Sequence, residues 1–234
     1  MTPVVLAIET SQRAGGVALA DRAGAVYVEA LSGEDRHDDA LMPAIARACS
    51  RAALAPSDLR AVAVSIGPGG FTGIRLAVVT AKMMSLSLGV ELIAVPTAEI
   101  VATGTCTPDD PDDVLVVLSA KRESFWCAHL RRSDDRYIMH EDFGIRTSET
   151  VELAGIGLVL ADAYAPATLR ARAEASGRVV RTPICDPRAC LRVAMPMQAA
   201  GDFTTATALA PWYPRPPEAV TLWEQRHGPR GHVQ

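Results

Sequence analysis

The residues best suited to chemistry in this chain lie in the run Gly67-Pro68-Gly69-Gly70-Phe71-Thr72-Gly73-Ile74-Arg75. A glycine-rich turn of this kind crowds backbone N–H groups together. A helix starting from it adds its positive end, so the run could hold an anion. The spacing is neither G-x-G-x-x-G followed by an acid nor G-x-x-x-x-G-K-[ST], so dinucleotide and P-loop mechanics do not apply. The competing reading is steric: the glycines let backbone pack tightly at a strand-to-helix corner. Both readings stay open on the residues alone. The five histidines (His37, His129, His140, His227, His232) include no pair at i, i+4, the spacing that brings two imidazoles to one metal. His37 reads as a helix start, and His129 and His140 read as structural residues of facing strands. Five cysteines (Cys49, Cys106, Cys127, Cys185, Cys190) make an odd number without C-x-x-C spacing. Cys49 and Cys127 sit in apolar periodic runs as small hydrophobes, whereas Cys185 and Cys190 are expected to be more exposed. No G-x-S-x-G elbow exists, and Lys82 has no adjacent carboxylate to suggest an activated amine.

The elements that would position these groups follow from periodicity. Val4–Glu9, Gly16–Ala20 and Ala25–Leu31 read as strands joined by turns. Asp39–Ala53 reads as a helix with Pro43 in its first turn, where a missing N–H costs little. A buried strand at 61–66 then leads through the glycine turn. The helix Thr72–Leu88 follows, opening on a capping hydroxyl and stopping at Gly89, and then comes the strand Glu91–Val95. Thr103–Asp113, rich in Thr, Pro and Asp, reads as a linker. Beyond it the order repeats: strands at Val114–Ser119, Ser124–Leu130 and Arg136–Asp142, a short helix at Ser148–Leu153, a strand at Leu158–Ala161, a helix at Ala165–Ser176, a strand at Val179–Thr182 and a helix at Arg188–Ala199. Two βββαβαβ units predict an α/β chain of the duplicated actin-like, ribonuclease-H-like architecture, with mixed sheets flanked by helices. Fold of this kind leaves function open. The expected division is 1–103, 104–210 and a C-terminal extension at 211–234, with Arg226–Gln234 a mobile tail.

Composition narrows the class. The chain has 234 residues, 49% hydrophobic but only 5% aromatic, so its core is aliphatic. A net charge of −4 argues against a free-standing nucleic-acid binder, which normally carries a basic face. The N-terminus lacks a basic n-region and no uninterrupted run of about eighteen apolar residues occurs. The expectation is a cytoplasmic protein without a membrane span.

With that architecture the motifs become recognisable. The chain resembles the bacterial TsaB family, once called YeaZ, through Leu6-Ala7-Ile8-Glu9-Thr10-Ser11, then His37 to Pro43, then Gly67 to Gly89. Weaker matches are Ala120-Lys121-Arg122-Glu123-Ser124-Phe125-Trp126 and Pro211-Trp212-Tyr213-Pro214-Arg215-Pro216-Pro217. The resemblance implies a scaffold for N6-threonylcarbamoyladenosine modification of tRNA rather than a catalyst. In that family the chain would pair with a TsaD-like transferase through helices, a TsaE-like ATPase would dock on the pair, and tRNA would be reached only through the complex. ATP and metal would belong to the partner subunits, with no cofactor bound tightly here.

The same resemblance locates a vestigial phosphate site. Glu9 stands where the first acid of a phosphotransfer site would stand, with Thr10 and Ser11 after it and Gly67, Gly69 and Gly70 nearby. The alternative for Glu9 is a carboxylate bonded to nearby backbone at a strand end. The second hairpin, Ser119 to Glu123, has neither the glycines nor the acid, where relatives commonly carry Asp at the position of Ser119. The HxxxH pair of the catalytic sibling is missing from Pro96–Gly104. Two rivals to the scaffold, an ATP-dependent phosphotransferase and a glycoprotease-like peptidase, are opposed by these two gaps respectively.

The helix at 72–88 is apolar over more than the stripe of about 100° needed to cover one core. It is either sandwiched within its own domain or packed on a partner. Ala77, Ala81 and Ser85 form a small-residue row that would admit another helix, and Met83 and Met84 suit an adaptable contact. The resemblance favours the partner, with Leu41, Met42 and Ile45 of the first helix and Leu76, Val79, Thr80, Met83 and Ser87 of the second as the interface. In isolation the same surface would favour a homodimer.

Overall fold

The computed structural model describes residues 2–31, 37–120 and 123–215, with Trp223 and Arg226 beyond them. Lys121, Arg122, the Pro216-Pro217 pair, the His37 side chain and nearly all of the expected tail lie outside the described residues. Two five-stranded mixed sheets share one topology. The first has the order β3-β2-β1-β4-β5, with β1 Val5–Glu9, β2 Gly15–Ala20, β3 Val26–Leu31, β4 Ala61–Gly67 and β5 Glu91–Pro96. The second has the order β10-β9-β6-β7-β8, with β6 Asp113–Ser119, β7 Phe125–Ser133, β8 Arg136–Arg146, β9 Leu158–Ala161 and β10 Val179–Arg181. In each, the first three strands form an antiparallel meander and the last two add parallel to the opening strand. This is the duplicated α/β fold that the order of elements predicts.

Both faces of the first sheet are covered, which is why β1 and β4 read as near-continuous apolar runs. Leu6 and Ile8 point to the side of α1 (His37–Arg51) and α2 (Phe71–Leu88). Val5 and Ala7, one residue out of phase, face α5 (Pro187–Ala200) through Cys190, Leu191, Val193 and Ala194. The helix α3 (Thr97–Thr105) covers one face of the second sheet, and α4 (Ala167–Ala175) packs on the other. α3 and α5 also pack on each other, so these two helices lie between the sheets. A Cβ on Gly104 would stand 3.1 Å from the Ala189 Cβ, a close crossing. α5 follows the second sheet in sequence yet covers the first, so chain order and packing order differ here.

Several local expectations change. The segment expected as a linker from Thr103 begins inside α3, and its first two threonines are buried tie points. Thr103 Oγ1 accepts from the Tyr137 N–H at 3.0 Å and Thr105 Oγ1 from the Ile184 N–H at 2.8 Å. No helix forms at Ser148–Leu153. The Arg172 guanidinium takes the Ser148 and Val151 carbonyls, leaving a single turn closed from the Val151 N–H to the Thr147 carbonyl. α2 starts one residue early with Gly70 as its N-cap, so Thr72 supplies no capping hydroxyl; its stop at left-handed Gly89 (φ 69°) is as expected. α1 starts at His37, which puts Pro43 inside the helix beyond its first turn. By length and mean hydropathy alone (18 residues, 1.3) α2 could cross a membrane. Arg75 and Lys82 interrupt its apolar run, and Ile74, Ala77, Val78 and Ala81 are buried in the core it shares with the first sheet.

Candidate functional site

The carboxyl end of β1 meets the glycine turn. Glu9, Thr10 and Ser11 are all buried, and they satisfy most of their polar groups locally. Ser11 donates to Glu9 Oε1 from both its N–H (2.7 Å) and its hydroxyl (2.5 Å). The Thr10 hydroxyl donates to the Gly73 carbonyl at 2.8 Å, and the Gly70 N–H donates to the Ser11 carbonyl at 2.7 Å. A Cβ on Gly69 or Gly73 would overlap the carbonyl oxygens of Ser11 and Thr10, and one on Gly67 would overlap that of Trp212. The glycines therefore serve the steric role: they admit another backbone at van der Waals range. Glu9 Oε2 is buried with no hydrogen-bond partner. Burial pushes the Glu9 carboxyl above its usual range, against the lowering effect of the hydroxyls of Ser11 and Ser65 and the Ser11 N–H.

The second hairpin holds an acid after all, supplied from another strand. Asp162 follows β9 directly and accepts from the Ser119 N–H at 2.6 Å, the Ser119 hydroxyl at 2.5 Å and the Tyr164 N–H at 2.9 Å. Sequence reasoning missed Asp162 because only the parallel pairing of β6 with β9 brings it beside Ser119. An acid immediately after a short apolar strand was the available signal. The two halves meet here: the Arg13 guanidinium, from the turn after β1, lies 5.3 Å over the Tyr164 ring. Cys185 sits against Ser11, and burial with Glu9 and Asp162 nearby holds its thiol well above the usual range. Cys190, expected to be more exposed, is fully buried because α5 turns it into the first sheet. Cys49 and Cys127 are buried as expected, and burial pushes the Cys127 thiol up to about 12. His129 and His140 stack edge to face at 5.0 Å on β7 and β8, and His129 Nε2 lies 2.7 Å from Asp113. Among the described residues no three His, Cys, Asp or Glu side chains gather to hold a metal ion.

The two weaker sequence matches converge on the glycine turn. The Trp212 N–H donates to the Ile66 carbonyl at 2.7 Å, and its ring meets Trp126 edge-on at 5.3 Å. Tyr213 stacks on Phe71 at 5.2 Å, and Arg215 donates to the Ser124 hydroxyl. Residues 211–215 thus strap the start of α2 to the second sheet.

The expected interface residues separate by burial. Leu41 and Ile45 point into the chain's own core and are unavailable to a partner. Leu76 is half-buried against that core, and Thr80 is half-buried. The row of Ala77 and Ala81 faces the core, as does Met84, so it admits no foreign helix. Met42 and Val79 are exposed, as are Met83 at 58% and Leu86, which sequence reasoning left out of the interface, at 74%. Ser87 is exposed, and its hydroxyl donates to the Met83 carbonyl at 2.7 Å. The surplus apolar width of α2 is therefore an outward stripe, opposite the side packed on β4.

Comparison with known proteins bears on the family and the fold. A family model described as TsaD, tRNA N6-adenosine threonylcarbamoyltransferase, matches residues 31–154, just over half of the chain. The chain is 30% identical over 141 residues to the tRNA threonylcarbamoyladenosine biosynthesis protein TsaB of Buchnera aphidicola from Acyrthosiphon pisum, covering 59% of this chain and 62% of that one. It is 36% identical over 100 residues to TsaB of Bacillus subtilis, covering 42% and 43% respectively. The matched stretch thus spans less than two thirds of the length of these relatives. Among solved structures, YeaZ from Pseudomonas aeruginosa superimposes with a TM-score of 0.74 at 19% identity, covering 91% of this chain and all of that one. A second, described as an uncharacterized protein with similarity to peptidase YEAZ from the same organism, gives 0.77 at 20% identity, with 92% and 100% covered. The chain belongs to the family that this model describes, and its relatives place it with the TsaB, or YeaZ, proteins.

Proposed function

We propose that this chain is a non-catalytic subunit that binds and activates a TsaD-like transferase for N6-threonylcarbamoyladenosine modification of tRNA. The observation that carries the reading is the outward stripe of α2, where Val79, Met83 and Leu86 stand exposed on a helix already buried on its other side. Apolar side chains grouped this way gain free energy by leaving water, and a partner's helices would cover them. The relatives' names supply the pathway: they are called tRNA threonylcarbamoyladenosine biosynthesis proteins. In this reading a TsaE-like ATPase docks on the heterodimer, tRNA is met only through the complex, and ATP and metal sit on partner subunits in the cytoplasm. The rivals, a phosphotransferase of the same fold or a glycoprotease-like peptidase, would need an open polar cleft. Here the Glu9 and Asp162 carboxylates are hydrogen-bonded within the chain instead.

The test is reconstitution of tRNA modification with the cognate transferase, ATPase and threonylcarbamoyl-adenylate synthase, reading modified adenosine in tRNA digests. Met83→Arg should abolish modification while Glu9→Ala, if folded by circular dichroism, should retain most of it. Loss with Glu9→Ala and full activity with Met83→Arg would make this chain a catalyst. Sedimentation of the chain alone decides whether a homodimer also forms.

A further inference from the structure

The outward stripe of α2 is not uniformly apolar. Phe71, Arg75, Val79, Met83 and Leu86 follow helical spacing and are all exposed, so one cation lies in an otherwise apolar row. Arg75 has no ion pair with any described residue. Its guanidinium lies 4.8 Å over the Phe71 ring, which in turn stacks on Tyr213. The row therefore begins with a cation resting on Phe71, whose ring is backed by Tyr213 from the strap at 211–215. That strap is fixed by the Trp212 bond to Ile66 and the Arg215 bond to Ser124. Phe71 is 57% exposed and Tyr213 37%, so the platform continues the apolar stripe.

Covering this row with an apolar surface would strand the guanidinium, whereas a carboxylate placed opposite would satisfy it. A second copy of this chain is poorly equipped to supply one from α2. Residues 71–88 contain Arg75 and Lys82 and no Asp or Glu. The exposed cations of α1, Arg47 and Arg51, already bond to Glu29, and the acids of α1 are confined to Asp38 and Asp39 in its first turn. Two α2 rows laid together would bring no carboxylate to either Arg75.

We propose that the platform of Arg75, Phe71 and Tyr213 sets the register and the choice of partner, by receiving an acidic side chain from the TsaD-like subunit in preference to a second copy of this chain. A single charge in an apolar helical interface acts this way because every other register leaves it buried without a counterion. The inference rests on the proposed docking of that subunit along α2. It adds that the binding surface is composite, with the C-terminal strap as part of it.

The experiment measures the affinity of the full chain for the cognate TsaD-like subunit across a salt series, for wild type, Arg75→Glu, Arg75→Lys, Tyr213→Ala and Met83→Arg. Tryptophan fluorescence of Trp126 and Trp212 checks that each variant keeps its strap. Arg75→Glu should weaken binding at least about 30-fold, the lower end of what breaking a desolvated charge pair costs. Arg75→Lys should recover part of the affinity, and Tyr213→Ala should cost less than Arg75→Glu. Reversing one acidic residue of the transferase to Arg should rescue Arg75→Glu. If Arg75→Glu binds within twofold of wild type while Met83→Arg does not bind, this inference fails and the docking face stands. If both variants bind like wild type, or wild type does not bind, the docking reading fails and takes this one with it. A wild-type chain that dimerises more tightly than it binds the transferase overturns the preference for an unlike partner.

Discussion

The cleft between the sheets and the outer face of α2 treat their side chains in opposite ways. At the cleft, Glu9, Ser11, Ser119 and Asp162 are hydrogen-bonded to one another or to adjacent backbone, and Arg13 closes over Tyr164. Apart from Glu9 Oε2, which has no partner, a ligand entering there would have to replace bonds already made, and such exchange returns little net free energy. On the outer face, Val79, Met83 and Leu86 are exposed, with none of the described residues covering them. Association there removes apolar area from solvent and breaks no existing polar contact. In this chain the outer face of α2 therefore offers more free energy for association than the cleft does.

The largest expected effect breaks that comparison from the helix side. An arginine at position 83 would have to be desolvated without a counterion, a cost of about 3–5 kcal/mol. Met83→Arg should therefore weaken binding of the transferase by more than about 100-fold, with the unfolding midpoint in urea unchanged. An unchanged affinity would falsify the placement of the interface on this face. Next comes the backbone contact that closes the cleft. Gly73→Ala drives a methyl group into the Thr10 carbonyl, and overpacking of this kind costs about 3 kcal/mol. Its urea midpoint should fall sharply, whereas Gly24→Ala, whose Cβ meets nothing within 4 Å, should be penalised only for its φ of +85°.

A smaller effect concerns protonation in the cleft. The folded-state carboxyl of Glu9 titrates above the ordinary 4.5, so between that value and the higher folded one the native state keeps a proton that the unfolded chain has released. Stability is then full below about pH 4.5 and declines as pH rises through the folded value, by at most about 1.4 kcal/mol per pH unit. Glu9→Gln cannot ionise and should remove that part of the decline; parallel pH profiles of the two proteins would disprove a protonated Glu9. The smallest expected change is Arg13→Ala. It removes one exposed cation–π contact across the cleft, so a loss of about 0.5 kcal/mol and no change in partner affinity are expected. A large loss of partner affinity would mean that cleft closure and the helix face are coupled.

The repeat of elements was legible because strand and helix periods are local properties of the chain. Val5–Glu9, Ala61–Gly67 and Leu158–Ala161 are short apolar runs bounded by turns, and each forms a strand close to its expected limits. α3 was hidden because Thr97, Ile100, Val101, Thr103 and Thr105 are weak helix formers. The second sheet holds them in a helix by burial and by two threonine side-chain bonds. The helix expected at Ser148–Leu153 failed for the converse reason: a distant Arg172 captured its carbonyls.

Sequence alone determined the two-sheet fold, the glycine corner and the excess of apolar residues on α2, since composition and spacing carry all three. Only the tertiary structure decided which of those apolar residues remain outside. Leu41, Ile45, Ala77 and Ala81 turn inward, while Val79, Met83 and Leu86 turn outward, because the direction of a helix face depends on where the sheet lies. It also decided that Asp162 meets Ser119, that Tyr213 reaches Phe71 and that Cys190 is sealed beneath α5. Each of these joins residues far apart in the chain. Residue type and spacing fix what a side chain can do, and the packing of distant elements fixes what it faces.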